Sequence, residues 1–167
     1  MIKRFLPLLA ASVLFAACET ASTTSSDATS SGVTSSQAQA AASSEAASSA
    51  LTAENQLASV GDTVLFDFDS SSLTDSAQAT LNRQAAFMQA SPTLRVIIGG
   101  HADERGTREY NLALGERRAA ATRDYLVAKG VNAARIRIIS YGKERPIAVG
   151  SNEAAWSKNR RAVTALN

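Results

Sequence analysis

Val96-Ile97-Ile98-Gly99-Gly100-His101-Ala102-Asp103-Glu104-Arg105-Gly106-Thr107 changes character twice in a short span. Val96-Ile97-Ile98 is an apolar β-branched run, the pattern of a strand buried on both faces. Gly99 to Gly106 is rich in glycine and charge, which predicts a loop able to approach a ligand closely. Thr107 suits the N-cap of a long helix, and Gly130 suits its stop. A strand that feeds a helix through a glycine loop is the repeating unit of an α/β fold.

The flanking sequence extends that unit. In Thr63-Val64-Leu65-Phe66-Asp67-Phe68, alternation puts Val64, Phe66 and Phe68 on one face of a strand. Thr74-Asp75 opens a helix whose Ala77, Leu81, Ala85 and Met88 form an apolar stripe, and Ser91-Pro92 stops it. Ile136, Ile138 and Tyr141 mark a third strand. Gly142 to Asn152 is a loop, Ala154–Lys158 a short helix, and Arg161 to Leu166 a last strand. The fold class is α/β, an α+β sandwich: a β-α-β-α-β-β mixed sheet with helices packed on it, preceded by a disordered tether.

The chain start reads differently. Met1-Ile2-Lys3-Arg4 is a short positive region, and Phe5 to Phe15 is apolar apart from Pro7 and Ser12. Residues 1–17 have the layout of a secretory signal peptide. The only cysteine of the chain follows at Cys18. From Glu19 to Ala53, 27 of 35 residues are Ser, Thr or Ala. Such a segment lacks the apolar surface to offset its ordering entropy, and the Ser pairs at 43–44 and 48–49 argue against a helix. Residues 18–58 are therefore expected to form a flexible linker, spanning roughly 35 Å as a coil, and 59–167 the folded domain.

Charge and composition exclude several functions. Without Lys3 and Arg4 the basic and acidic residues are equal in number. Glu19, Asp27, Glu45 and Glu54 fall in the linker, so the folded part has four more basic than acidic residues, interleaved with acids. That is a weak signal for nucleic acid. One Cys and one His rule out a disulfide framework and leave little for a metal. No Walker loop, dinucleotide fingerprint or zinc spacing is present, and neither a cofactor nor a metal is expected. His101 reads as a strand-end structural residue, and Tyr141 and Trp156 as packing residues.

A site is expected where two acids stand directly after strands, Asp69 and Asp103. In a β-α-β unit both fall at the carboxyl edge of the sheet, where open α/β sheets bind ligands. The long helix presents Asn111, Leu114, Arg118, Ala119, Thr122, Tyr125 and Leu126 on one side. Arg118 is the odd member, a cation in a stripe that should face the sheet, and it needs a partner. A carboxylate held bidentately suits a guanidinium. The alternative is an internal pair with Asp69 or Asp103. Arg118 lies far down the helix from Thr107, so Arg105 or Arg108 reaches the edge more easily, and physics alone leaves the three open.

Longer motifs carry a resemblance. Phe66-Asp67-Phe68-Asp69 resembles the opening of the OmpA-like peptidoglycan-binding domain. Gly100 to Asn111, running into Leu114-Gly115-Glu116-Arg117-Arg118-Ala119, is similar to that family's central signature. Ser140 to Pro146 and Asn159-Arg160-Arg161-Ala162 resemble its closing motifs. Thr122 departs from the usual aliphatic, and Arg108 from a common Pro. Leu14-Phe15-Ala16-Ala17-Cys18 resembles the bacterial lipobox, with Phe15 where Leu is usual, and the chain as a whole looks like a lipid-anchored member of the family. The resemblance implies non-catalytic binding of peptidoglycan through the diaminopimelate of its stem peptide. Asp103 would take the ammonium and Arg118 a carboxylate. Phe68, Asp69 and Leu114 would line the pocket, and Arg105 and Asn111 support it. It further implies an acylated Cys18 with sorting to the outer membrane, a domain facing the periplasm, and Tol-system proteins such as TolB as partners. The competing expectation is a cell-wall glycosidase that uses Asp69 and Asp103 as its carboxylate pair.

Overall fold

The computed structural model describes residues 48–167. The leader, Cys18 and residues 19–47 of the expected linker lie outside the described residues. Residues 48–60 form helix α1, with Leu57 buried. The folded region thus begins about ten residues before the expected boundary at 59. Ala50, Leu51, Ala53, Leu57 and Ala58 supply the apolar positions that outweigh Ser48 and Ser49.

The remaining elements are β1 (Thr63–Leu65), α2 (Asp75–Ala90), β2 (Val96–His101), α3 (Arg108–Ala128), a short 3-10 turn (Ala133–Arg135), β3 (Ile136–Gly142), α4 (Glu153–Asn159) and β4 (Arg161–Leu166). This is the expected order. Thr74 and Thr107 cap α2 and α3, accepting from the amides of Ala77 at 3.2 Å and Tyr110 at 3.2 Å. The helix face read from the sequence is the one buried: Ala77, Leu81, Ala85 and Met88 lie in the core with Val64, Phe66, Val96 and Ile98. Gly130 has φ +96, the left-handed backbone that ends α3.

Two details differ from expectation. The run at Val96 extends as strand through His101, so the loop begins at Ala102 rather than Gly99. The first strand stops at Leu65; Phe66 is buried but Phe68 is 59% exposed, so the three do not share a face. The chain turns away there, with Asp69 at φ 52.

The sheet order is β1-β4-β2-β3. β4 lies between β1 and β2 and runs antiparallel to both, while β2 and β3 are parallel. β1 and β2 therefore point the same way without touching, and their carboxyl ends share one edge. α3 sits hard on β2: a Cβ added at Gly100 would stand 1.8 Å from the main-chain oxygen of Gly115. Only glycines allow that approach, and it sets the height of α3 above the sheet edge.

Candidate functional site

The edge shared by β1 and β2 holds a cavity of about 140 Å³. All seven expected site residues line it: Phe68, Asp69, Asp103, Arg105, Asn111, Leu114 and Arg118, joined by Gly106 and Tyr110. Arg108 is elsewhere, paired at the surface with Glu144 at 3.3 Å.

Asp103 follows the end of β2 and is 5% exposed. One oxygen accepts from the Arg105 amide at 3.1 Å and from its Nε at 3.3 Å. The other accepts from Arg105 Nη2 at 2.5 Å and from Arg160 Nη1 at 3.5 Å. Burial pushes the carboxyl of Asp103 up. The Arg105 side chain and amide, with help from Arg160, outweigh that and hold it below the usual carboxylate range. Asp103 is thus a fixed anion. The Arg105 guanidinium that covers it is clamped between the rings of Phe68, 3.9 Å away, and Trp156, 4.1 Å away. Asn111 donates to the Arg105 main-chain oxygen at 2.8 Å and fixes the loop from the helix side.

Arg118 forms the opposite pole. It is fully buried, and its partners are main-chain oxygens: Nε to Ser70 at 2.8 Å, Nη1 to His101 at 2.8 Å and Nη2 to Asp67 at 3.0 Å. It makes no ion pair among the described residues. The alternative, an internal pair with Asp69 or Asp103, is therefore not formed. Burial pulls the guanidinium down to about 10, which still leaves it protonated at neutral pH. Three of its five N–H groups have partners, and two remain for a ligand. The small cavity is thus lined by a fixed anion and by a buried cation lacking a carboxylate.

Several contributors carried no signal of their own. Tyr110 donates its hydroxyl to Asp69, closing the cavity from the first turn of α3. Arg160 supports Asp103 from behind, itself held by Phe66 O at 3.0 Å and by Glu153 at 2.5 Å. The Arg160-Arg161 pair in front of a strand was the available clue, since one of two adjacent side chains must point inward. Trp156 packs on Arg105 rather than in the core and donates to Glu104 at 3.1 Å.

Residues 65–160 match the model of the OmpA family. The chain belongs to the OmpA family. The domain is 62% identical over 108 residues to a peptidoglycan-associated lipoprotein of Rhizobium meliloti, covering 65% of this chain and 61% of that one. It is 56% identical over 116 residues to the protein of that name from Brucella melitensis, covering 70% and 69%. The chain thus spans about two thirds or less of the length of these relatives. Among solved structures, the peptidoglycan-associated lipoprotein of Burkholderia pseudomallei is 46% identical, with a TM-score of 0.62 over 64% of this chain and 90% of that one. The C-terminal domain of Helicobacter pylori MotB shares the fold at 22% identity, with a TM-score of 0.59 over 64% and 84%.

Proposed function

We propose that this OmpA-family domain binds peptidoglycan non-covalently, through the diaminopimelate of the stem peptide. The carrying observation is that a buried anion, Asp103, and a buried cation without a carboxylate partner, Arg118, line one small cavity. The side-chain end of diaminopimelate is a zwitterion, an ammonium and a carboxylate on one carbon. Asp103 takes the ammonium, sharing it with the resident Arg105. Arg118 takes the carboxylate with its two remaining N–H groups. Phe68 and Leu114 enclose the aliphatic stem, and Asp69, Asn111 and Tyr110 hold the walls. The names of the relatives support peptidoglycan as the ligand.

The wider reading joins this domain to an anchor. Acylation at Cys18 tethers the chain to the outer membrane with the domain in the periplasm, and the segment up to α1 spans the gap to the wall. Among the described residues no helix is long and apolar enough to cross a membrane. A single acyl chain holds marginally, and several hold firmly. The chain then works as a membrane-to-wall clamp in envelope integrity and cell division, with Tol-system proteins such as TolB as partners.

The glycosidase reading is disfavoured by the state of Asp103. A general acid for sugar cleavage needs a carboxyl held protonated near neutral pH. Asp103 is pushed the other way, and its oxygens are already taken by Arg105 and Arg160. The acid role would fall to Asp69, which accepts the Tyr110 hydroxyl. The testing experiment incubates soluble residues 19–167 with purified sacculi of the diaminopimelate type. Co-sedimentation without release of soluble muropeptides is expected. Muropeptide release abolished by Asp103→Asn would replace the clamp with an enzyme, and absence from the pellet would reject wall binding.

A further inference from the structure

The sheet face turned away from α2 and α3 carries a second groove that the cavity above does not use. Alternation along the strands buries Val96, Ile98 and Thr164 under the helices and turns Ile97, Val163 and Ala165 outward. These line a groove of about 480 Å³. Gly99 lies in its floor, where a Cβ would come within 2.9 Å of the Tyr141 ring. Ile147, 63% exposed, stands on its rim.

One end of the groove is cationic. Arg161 is 5% exposed, yet its guanidinium reaches only the main-chain oxygens of Asn159 at 3.4 Å and Arg145 at 3.2 Å. The first is long for an N–H···O bond and the second lies at the upper end of the ordinary range. Arg145 is exposed and lies over the Tyr141 ring at 4.1 Å. Neither arginine makes an ion pair among the described residues, and no acidic side chain lines the groove. His101 adds no counter-charge; burial, with Arg161 and Arg145 beside it, keeps its imidazole neutral. A desolvated guanidinium without a carboxylate is costly, and a bound anion offsets that cost. The loop bearing Arg145 is pinned, because the Asn159 side chain accepts from the amides of Ile147 at 2.9 Å and Ala148 at 3.2 Å.

We propose that this groove is a second binding site, for the carboxyl terminus of a partner peptide that ends in an aliphatic residue. The carboxylate lies between Arg145 and Arg161, and the last side chain rests on Ile97 and Val163. Charge complementarity selects the anion, and the apolar floor selects the aliphatic group. The pinned loop sets Arg145 and Pro146 beside Arg161 in the groove lining, and two adjacent cations suit the carboxylate of a chain end.

The test is an amide NMR titration of the full chain in detergent micelles. N-acetyl-leucine is the probe, and N-acetyl-leucine amide is the uncharged control. The acid should give saturable shifts at Ile97, Gly99 and Val163, and the amide should bind about tenfold more weakly or worse, the size of one lost charged hydrogen bond. Arg145→Gln, at an exposed position, should weaken the acid by about the same factor without changing sacculus binding. Equal binding of acid and amide overturns the proposal, as does unchanged affinity in Arg145→Gln. No saturable shift at millimolar probe also overturns it, as do shifts confined to the Phe68–Arg105 cavity. Broadening of the same amides with rising protein concentration alone overturns it in favour of a second copy of this chain.

Discussion

Arg118 on α3 donates to the main-chain oxygen of His101, the last residue of β2, at 2.8 Å. The same guanidinium holds the main chain at Asp67 and Ser70 after β1. One side chain thus ties together the two strand ends that form the cavity, while keeping N–H groups for a ligand. Arg118 is structural, and in the proposed function it also binds ligand, which decides how it must be tested.

Arg118→Ala should lower thermal stability as well as ligand binding, because it strands three carbonyl oxygens, that of His101 buried and those of Asp67 and Ser70 partly so. Arg118→Lys should retain part of the fold and little of the binding, since an ammonium cannot make the planar two-point contact. Thermal unfolding beside sacculus co-sedimentation checks both. A lysine variant that binds at wild-type level removes the guanidinium from ligand recognition.

Gly100→Ala should be among the most damaging single changes in the domain. The added methyl meets the Gly115 main chain rather than a movable side chain. The expected loss is about 2–3 kcal/mol or more, at the upper end of overpacking effects, and urea unfolding measures it. A loss under about 0.5 kcal/mol would mean that α3 does not rest on β2 at this point.

Stability should depend on pH through His101. Its pKa is pulled down to about 4, first by burial and then by Arg161 and Arg145. The unfolded chain, titrating near 6.5, binds the extra proton between those values, so stability rises with pH there and is lost as pH falls from about 6.5 towards 4. Asp103 acts lower. Its depressed carboxyl contributes stability above the unfolded value near 4, and this is lost as pH falls through its folded pKa. Denaturant unfolding between pH 7 and 4.5 should show the slope in the wild type and a flatter profile in His101→Gln. Equal slopes would mean that the imidazole is not held neutral.

The legible and illegible parts of this chain separate along physical lines. Periodicity, caps and stop residues placed β1 to β4 and α2 to α4, because each is a local property of a few consecutive residues. The position of β4 between β1 and β2 was not legible, since pairing partners are set by the whole sheet. Helix α1 was not expected, because composition averaged over the Ser-rich segment hid its one buried position, Leu57. The site residues were readable as chemistry-bearing positions, and motif resemblance chose Arg118 where distance along the helix favoured Arg105 or Arg108. Its carbonyl partners lie 17 to 51 residues away in sequence and left no trace in local pattern. The cover that Arg105 places over Asp103 depends on the rings of Phe68 and Trp156, brought together only by the fold.

Cys18→Ser should abolish acylation, because a hydroxyl is a poor substitute for the thiol as acyl acceptor. Metabolic labelling with a fatty acid and membrane fractionation check it. Normal labelling and outer-membrane recovery in the variant would remove the lipid anchor from the account.

The most direct test of the central claim is calorimetric binding of a soluble stem tripeptide that ends in diaminopimelate, compared with the same peptide ending in lysine. The lysine peptide keeps the ammonium and lacks the side-chain carboxylate that Arg118 would hold. The diaminopimelate peptide should bind, and the lysine peptide should lose about 2 kcal/mol or more, the scale of a desolvated charge contact. Asp103→Asn, which preserves shape and removes the charge, should bind neither. Equal affinity for the two peptides, or wild-type affinity in Asp103→Asn, would contradict the reading of Asp103 and Arg118 as the two poles of a zwitterion site.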